Sequence, residues 1–403
     1  MTTSRKSRGR LLVGLGLAGA VATATAIAAL PAQADQVGEI RSANAQGTIP
    51  GSYIVVLKDD GLRSVSEVTS KAQGLASKFG GQVKNTYGAA LKGFSVNISE
   101  GQAKKLAADS SVKYVTQNKA YKVSDEQPDP PSWGLDRVDQ KDLPLDKKYT
   151  YDTKADNVTA YIIDTGIRAS HKTFEGRVGP GFDAVDGDDD PADGHGHGTH
   201  VAGTVGGAEY GLAKGVKLSG VRVLDDQGSG STDGVVKGID WVAQNAKAPS
   251  VANMSLGGPA DQALDDAVKG AVAKGITFAV AAGNSSDDAS GYSPARVEEA
   301  LTVAASDDKD AQAEFSSFGS VVDIYAPGVD ITSAGNTDDT GTDTMSGTSM
   351  ASPHVAGAAA LYLAANPDAK PDAVAKALTD AATPDKITNP GEGTPNKLLY
   401  TGK

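Results

Sequence analysis

Five short apolar runs, Val158–Asp164, Lys217–Leu224, Ser250–Ser255, Thr277–Ala281 and Ala300–Ala304, are separated by stretches with helical spacing. The helical stretches are Val201–Val205, Gly234–Gln244, Ala260–Ala273 and Ser352–Ala364. Runs without polar alternation read as strands buried on both faces. Strand–helix alternation of this kind predicts an α/β fold, a mostly parallel sheet with helices on both faces. In such sheets the functional residues gather beyond the carboxyl ends of the strands.

A Pro- and acid-rich segment, residues 124–132 (SDEQPDPPS), separates this region from a smaller one. Residues 53–122 read as a separate α+β unit. Strands are expected at Tyr53–Lys58, Gln82–Tyr87, Leu91–Ile98 and Val112–Tyr121, and helices at Ser64–Phe79 and Gly101–Asp109. That order, βαββαβ, is the ferredoxin-like split arrangement, and by itself it says nothing about function.

The first 34 residues read as a secretory signal peptide. Arg5, Lys6, Arg8 and Arg10 precede an uncharged stretch from Leu11 to Leu30, and Ala32-Gln33-Ala34 supplies small residues for a cut after Ala34. A membrane anchor is the competing reading, because the stretch is nearly long enough to span. Its Ala/Gly content and the A-x-A pattern favour removal and a secreted, extracellular product with no stable anchor. Gly14–Gly19 matches the dinucleotide fingerprint, but no strand precedes it and no acidic residue follows at the right distance. The chain has no cysteine, which excludes disulfides, a thiol nucleophile and thiolate metal sites. Charge is unevenly divided: residues 1–125 hold 16 Lys+Arg and 8 Asp+Glu, net +8, whereas residues 126–403 hold 22 and 42, net −20. An acidic body argues against nucleic acid as a partner, while the two halves suit each other.

Four positions in glycine-bearing contexts carry the chemistry. Asp164 closes the strand-like YIID and precedes Thr165-Gly166, where a carboxylate can orient a histidine. Asp193-Gly194-His195-Gly196-His197-Gly198-Thr199-His200 holds three of the chain's five histidines. Alone, this cluster leaves three readings open: a metal site, a general base at a helix start, or a Gly-rich turn. The HExxH spacing and its glutamate are both lacking. Gly347–His354 (GTSMASPH) opens an apolar helix running to about Ala365, with Ser349 beside the positive end of its dipole and Pro353 expected in the first turn. A serine there is commonly only an N-cap. Ala281-Ala282-Gly283-Asn284 ends another strand with an amide that can donate to an oxyanion. The order Asp…His…Ser is that of subtilisin and differs from the Ser…Asp…His order of α/β-hydrolases.

With these motifs in order, the sequence resembles the subtilisin-like serine peptidases of the proteinase K and aqualysin branch. The resemblance rests on YIIDTGI (161–167), GHGTHVAGT (196–204), VANMSLGG (251–258), VAAGN (280–284) and GTSMASPHVAG (347–357), and it spans Ser132 to the end of the chain. It implies that Asp164 orients His197, that His197 takes the proton of Ser349, and that Asn284 with the Ser349 N–H stabilises the oxyanion. It further implies that extended peptide substrates lie beside Gly228, Ser229 and Gly230 on one side and Ser255, Leu256, Gly257 and Gly258 on the other. The primary pocket then falls between the latter segment and Ala281, Ala282 and Gly283, with a small apolar lining.

The resemblance also implies structural Ca²⁺ and no organic cofactor. Asp323 matches one carboxylate ligand, beside backbone carbonyls near Glu298 and Ala300. Asp136, Asp139, Gln140 and Asp146 match a second site, in which Lys148 replaces an oxygen ligand. Gly194, Asp226, Ser290 and Val321 stand near the cysteine positions of disulfide-bearing members. Residues 53–122 resemble the family's propeptide, an intramolecular inhibitor and folding chaperone whose tail enters the substrate groove. The implied organisation is signal peptide 1–34, propeptide 35–125 and peptidase domain 126–403, a monomer matured by its own cleavage. Two rivals remain. An aspartic peptidase is suggested by the repeat of D-T-G at Asp164 and Asp339, although the second copy follows polar loop sequence. The other is a catalytically dead secreted binding protein.

Overall fold

The computed structural model describes residues 37–43, 48–58, 61, 64–119 and 125–402. The expected signal segment, residues 1–34, lies outside them. The chain divides into two units, Met1–Tyr121 and Lys122–Lys403.

In the first unit the strands Thr48–Leu57, Gln82–Tyr87, Gly93–Asn97 and Val112–Lys119 alternate with the helices Val65–Lys78 and Glu100–Ala107 in the order read from the sequence. Each helix starts where a serine can close a capping box: Ser64 with Glu67, and Ser99 with Gln102. Val112–Lys119 pairs antiparallel with Thr48–Leu57, which pairs with Gly93–Asn97, which pairs with Gln82–Tyr87. A two-residue strand, Ile40–Arg41, adds a parallel edge that the sequence did not signal. Val55, Phe94, Val68 and Leu106 meet in the core between sheet and helices.

The second unit is built on a nine-stranded sheet. Its centre runs Ile324–Pro327, Leu301–Ser306, Thr277–Ala281, Ser250–Met254, Thr159–Asp164 and Lys217–Arg222, every neighbouring pair parallel. Alternation along one strand assigns the faces. Ala160 and Ile162 pack with Val201, Val205 and Val355. Tyr161 and Ile163 pack with Val235, Ile239, Leu264 and Val268. The helices His197–Gly206 and Thr348–Ala365 therefore share one face, and Thr232–Asn245 and Gln262–Ala273 share the other. Thr348–Ala365 is apolar all round, as a helix buried between sheet and neighbours must be. The strand Ile324–Pro327 was not legible as such, because four residues ending in proline give almost no periodicity.

Thr159–Asp164 comes first in sequence among these strands. The chain then builds outward from it in both directions, through Lys217–Arg222 on one side and Ser250–Met254 on the other. That makes its carboxyl end a topological switch point, the place where a crevice opens in a sheet of this type. Asp164 is the last residue of that strand.

Candidate active site

Asp164 is fully buried and its Oδ1 lies 2.7 Å from Nδ1 of His197. His197 is the first residue of its helix, held there by the close approach of Gly198 to the preceding loop. A Cβ on Gly198 would overlap the carbonyl oxygen of Gly166, so any other residue would push the helix off the strand end. Burial alone would lower the basicity of His197. The charge of Asp164, its hydrogen bond and the charge of Asp193 outweigh that, and hold the imidazole above its ordinary value.

The two neighbouring histidines go elsewhere. His195 is exposed, with its Nε2 beside Gly228, and His200 is buried with its Nε2 2.9 Å from the carbonyl of Ile331. The three rings of the cluster thus face three different partners. Among the described residues no group of three or more metal-capable side chains is gathered. The second D-T-G is also separate: Asp339 accepts from Arg168 Nε at 2.9 Å and Ser170 Oγ at 2.7 Å on an exposed loop. It supplies no second carboxylate to Asp164.

Ser349 is the second residue of the helix Thr348–Ala365, so it is helical rather than a cap; the cap position falls to Gly347. Pro353 correspondingly lies inside the helix and not in its first turn, a correction to the sequence expectation. A proline there has no N–H for the carbonyl four residues back, which is that of Ser349. That carbonyl instead accepts Ser255 Oγ at 2.7 Å. Ser255 Oγ accepts in turn from Asn253 Nδ2 at 2.9 Å, and Asn253 Oδ1 accepts from Ser352 Oγ at 2.8 Å. Ser349 Oγ donates to the carbonyl of Ser255 at 3.1 Å, and it makes no hydrogen bond to His197 among the described residues. Hydroxyl–base contacts commonly tighten only when substrate binds.

Asn284 has its amide orientation fixed by Thr348. The Thr348 N–H and Oγ1 both donate to Asn284 Oδ1 at 2.9 Å, which leaves Nδ2 to face the other way. A Cβ on Gly347 would sit 3.4 Å from that Nδ2 and 3.6 Å from the backbone nitrogen of Ser349. The two nitrogens therefore border one spot, and the absence of a side chain at residue 347 keeps it open.

This spot opens into a cavity of about 190 Å³ whose walls include Leu256, Gly257, Ala281, Gly283 and Ser349. Tyr292 and Ser293 close it, and they were not singled out from sequence. They arrive because Tyr292–Ser293 pairs antiparallel with Gly258–Pro259, Ser293 with Gly258 and Tyr292 with Pro259, a long-range contact that no local pattern announces. Of the remaining expected substrate residues, Gly228, Ser229 and Gly230 follow the strand Lys217–Arg222 in a turn where Ser229 N donates to Asp225 Oδ1 at 3.0 Å.

The residues expected to bind calcium lie in two stretches, and among the described residues neither gathers three metal-capable side chains. Asp323 accepts the Thr302 amide at 2.8 Å, and burial pushes its carboxyl up to about 6. Ala300 is buried next to the start of the Leu301–Ser306 strand, and Glu298 is exposed. Asp136 accepts from the amides of Asp146 and Lys147 at 3.3 and 2.8 Å, and Asp139 accepts from Thr150 N at 2.6 Å. Gln140 Oε1 takes Asp146 N at 3.2 Å. Burial, with the charges of Asp146 and Asp136 added, pushes Asp139 up to about 6; Asp136 is raised by its burial too. Lys148 directs its ammonium to Glu126 at 3.0 Å.

Comparison with known proteins bears on the whole chain. The Subtilase family profile matches residues 155–399, and the Peptidase inhibitor I9 profile matches residues 52–124. The chain is 46% identical over 387 residues to the extracellular serine proteinase of Thermus sp. (strain Rt41A), covering 92% of this chain and 94% of that one. It is 49% identical over 325 residues to alkaline serine exoprotease A of Vibrio alginolyticus, covering 79% of this chain and 60% of that one. The crystal structure of a cold adapted subtilisin-like serine proteinase aligns with a TM-score of 0.66 at 52% identity, covering 67% of this chain and 98% of that one. The Subtilase profile covers more than half of the chain and the Thermus relative aligns over nearly its whole length, so the chain belongs to the subtilase family.

Proposed function

We propose that this subtilisin-like serine endopeptidase works through Asp164, His197, Ser349 and Asn284. The observation that carries the assignment is the buried Asp164 carboxylate bonded to His197 Nδ1, which leaves Nε2 as the basic nitrogen. His197 Nε2 takes the proton of Ser349 Oγ as that oxygen bonds to the scissile carbonyl carbon. The oxyanion receives hydrogen bonds from Asn284 Nδ2 and the Ser349 N–H. The C–N bond then breaks as His197 returns the proton to the leaving amine, and water repeats the sequence to release the acyl group. Substrate runs as an added strand between 228–230 and 255–258, bound largely through its backbone. The small apolar lining of the cavity accepts aromatic and aliphatic side chains. The test is kinetic: with a peptide bearing such a residue before the cut, Asn284→Ala lowers kcat by about 10²–10³-fold with KM little changed. That magnitude is carried over from the matching asparagine in subtilisin itself. An unaltered kcat would remove Asn284 from the reaction.

The I9 segment acts as an intramolecular inhibitor, and we assign residues 53–122 to it as a ferredoxin-like unit. We assign residues 1–34 to a signal peptide, 35–125 to the propeptide and 126–403 to the peptidase. Maturation falls within 122–127, with the mature chain starting near Glu126. The extracellular relatives support secretion of this protein as well, and it is read as a monomer.

Calcium belongs to the same proposal. Burial disfavours the ionised form of Asp323 and Asp139, and a cation held by these hard oxygen donors would restore it. Asp323 would hold one ion with carbonyls near Glu298 and Ala300. Asp136, Asp139, Gln140 and Asp146 would hold another. The ions would supply cross-links to a chain that has no cysteine. Chelation is expected to lower Tm, because it removes the roughly 3–4 kcal/mol of stability that a site occupied at 100 to 1,000 times its Kd contributes. An unchanged Tm in chelator would argue against both sites.

A further inference from the structure

Asp193 lies outside the assigned reaction, yet its carboxylate accepts five hydrogen bonds. Oδ1 takes Thr165 Oγ1 at 2.9 Å, His195 N at 3.0 Å and Gly196 N at 2.8 Å. Oδ2 takes Thr199 N at 2.9 Å and Thr199 Oγ1 at 2.5 Å. Those donors come from two different elements. Thr165 directly follows Asp164 at the strand end, whereas Gly196 and Thr199 belong to the start of the His197 helix. The hydroxyls relay the tie further: Thr165 Oγ1 accepts Gly198 N at 2.9 Å, and Thr199 Oγ1 accepts Arg168 N at 2.9 Å. The helix has no side-chain bond from its own cap residue, Gly196, so its first amides depend on neighbours: His197 N donates to His195 Nδ1 at 3.3 Å, Gly198 N to Thr165 and Thr199 N to Asp193.

The catalytic aspartate is held by less. Asp164 Oδ1 takes both the Thr165 amide, at 2.7 Å, and His197, while its buried Oδ2 has no partner among the described residues. Its alignment with the imidazole is thus set by the two backbone segments. We propose that Asp193 is a positioning residue for proton transfer: its carboxylate clamps the loop leaving Asp164 to the first turn of the helix bearing His197. This rests on the reading of Asp164 and His197 given above. Asp193 also adds a second negative charge facing His197, alongside Asp164; the neighbouring His200 ring is held at about 4 by burial, and His195 lies 6.3 Å away, ring to ring.

The test compares Asp193→Asn with the parent enzyme, counting active sites with a serine-directed phosphonate. Asparagine keeps the shape, loses the charge and must turn an NH₂ toward amide donors. The expected result is a fall in kcat per titrated site of about ten- to a hundredfold, with KM little changed, as misaligned reacting groups give. The acid limb of the kcat/KM profile moves to lower pH, because His197 has lost a supporting charge. A purely structural role would lower Tm and leave that limb in place. A limb that stays put, with kcat within about twofold of the parent, overturns the proposal. If Asp193→Asn does not mature, Thr165→Val removes one arm of the clamp and keeps the charge. There the proposal expects a fall in kcat of at least about fivefold, and a kcat equal to the parent's overturns it. A parent enzyme that takes no phosphonate would instead refute the serine mechanism itself, so the two failures are distinct.

Discussion

Replacing Ser349 by alanine is expected to abolish turnover and leave the precursor uncut. Its hydroxyl lines the same cavity as Asn284, where it can bond to a carbonyl carbon. Removing it leaves the oxyanion donors without a nucleophile. The loss is on the order of 10⁶-fold in kcat, a magnitude carried over from the nucleophile of subtilisin. Intact mass of the secreted product reads it out. Wild type should start near Glu126, whereas Ser349→Ala should retain the segment before it. Identical masses would mean that another protease does the processing.

The second large effect is on stability at acid pH. His200 and His354 sit on the two helices that carry His197 and Ser349, and both are fully buried. His200 uses Nε2 on the Ile331 carbonyl and His354 uses Nδ1 on the Met350 carbonyl, so each has one ring nitrogen without a partner among the described residues, Nδ1 and Nε2 respectively. A proton added at His354 Nε2 would find no acceptor, and the Asp343 backbone beside the His200 ring offsets its burial only in part. Burial holds both down at about 4, and each ring's charge would further oppose the other's or that of His197. Because the unfolded chain takes up these protons near 6.5, full stability is present above that value. It is lost progressively as pH falls from 6.5 toward 4, at on the order of 3 kcal/mol per group. His197, whose folded value is raised, works in the opposite direction and offsets part of this loss. The denaturant midpoint of the phosphonate-blocked enzyme should therefore drop steeply between pH 7 and 4.5, and less steeply in His354→Gln. Equal midpoints at both pH values would contradict the account.

Much of this site was legible because each reacting residue stands in a short glycine-bearing segment at a strand end or helix start. YIID ends in Asp164, and the glycines at 198 and 347 mark backbones that must come close to something else. What they approach was not legible. Asp193 was visible only as the first residue of a histidine-rich turn, and nothing local says that its oxygens bridge Thr165 and Thr199. The Ser255–Ser349 contact spans 94 residues and exists because Pro353 frees a carbonyl, which also explains why proline is tolerated so far into the helix. In the same way, Tyr292 and Ser293 enter the cavity through a two-residue pairing too short to leave a pattern. The small unit was readable almost to its ends, since two serine capping boxes and alternating strands mark its boundaries.

The most direct test of the central claim is to treat the mature enzyme with a serine-directed phosphonate across a range of pH and map the modified peptide. The account predicts one adduct, on Ser349, forming faster as pH rises through and somewhat above the ordinary imidazole value, because His197 must be neutral to take the proton. An adduct on another residue, or a rate indifferent to pH across that range, would contradict it.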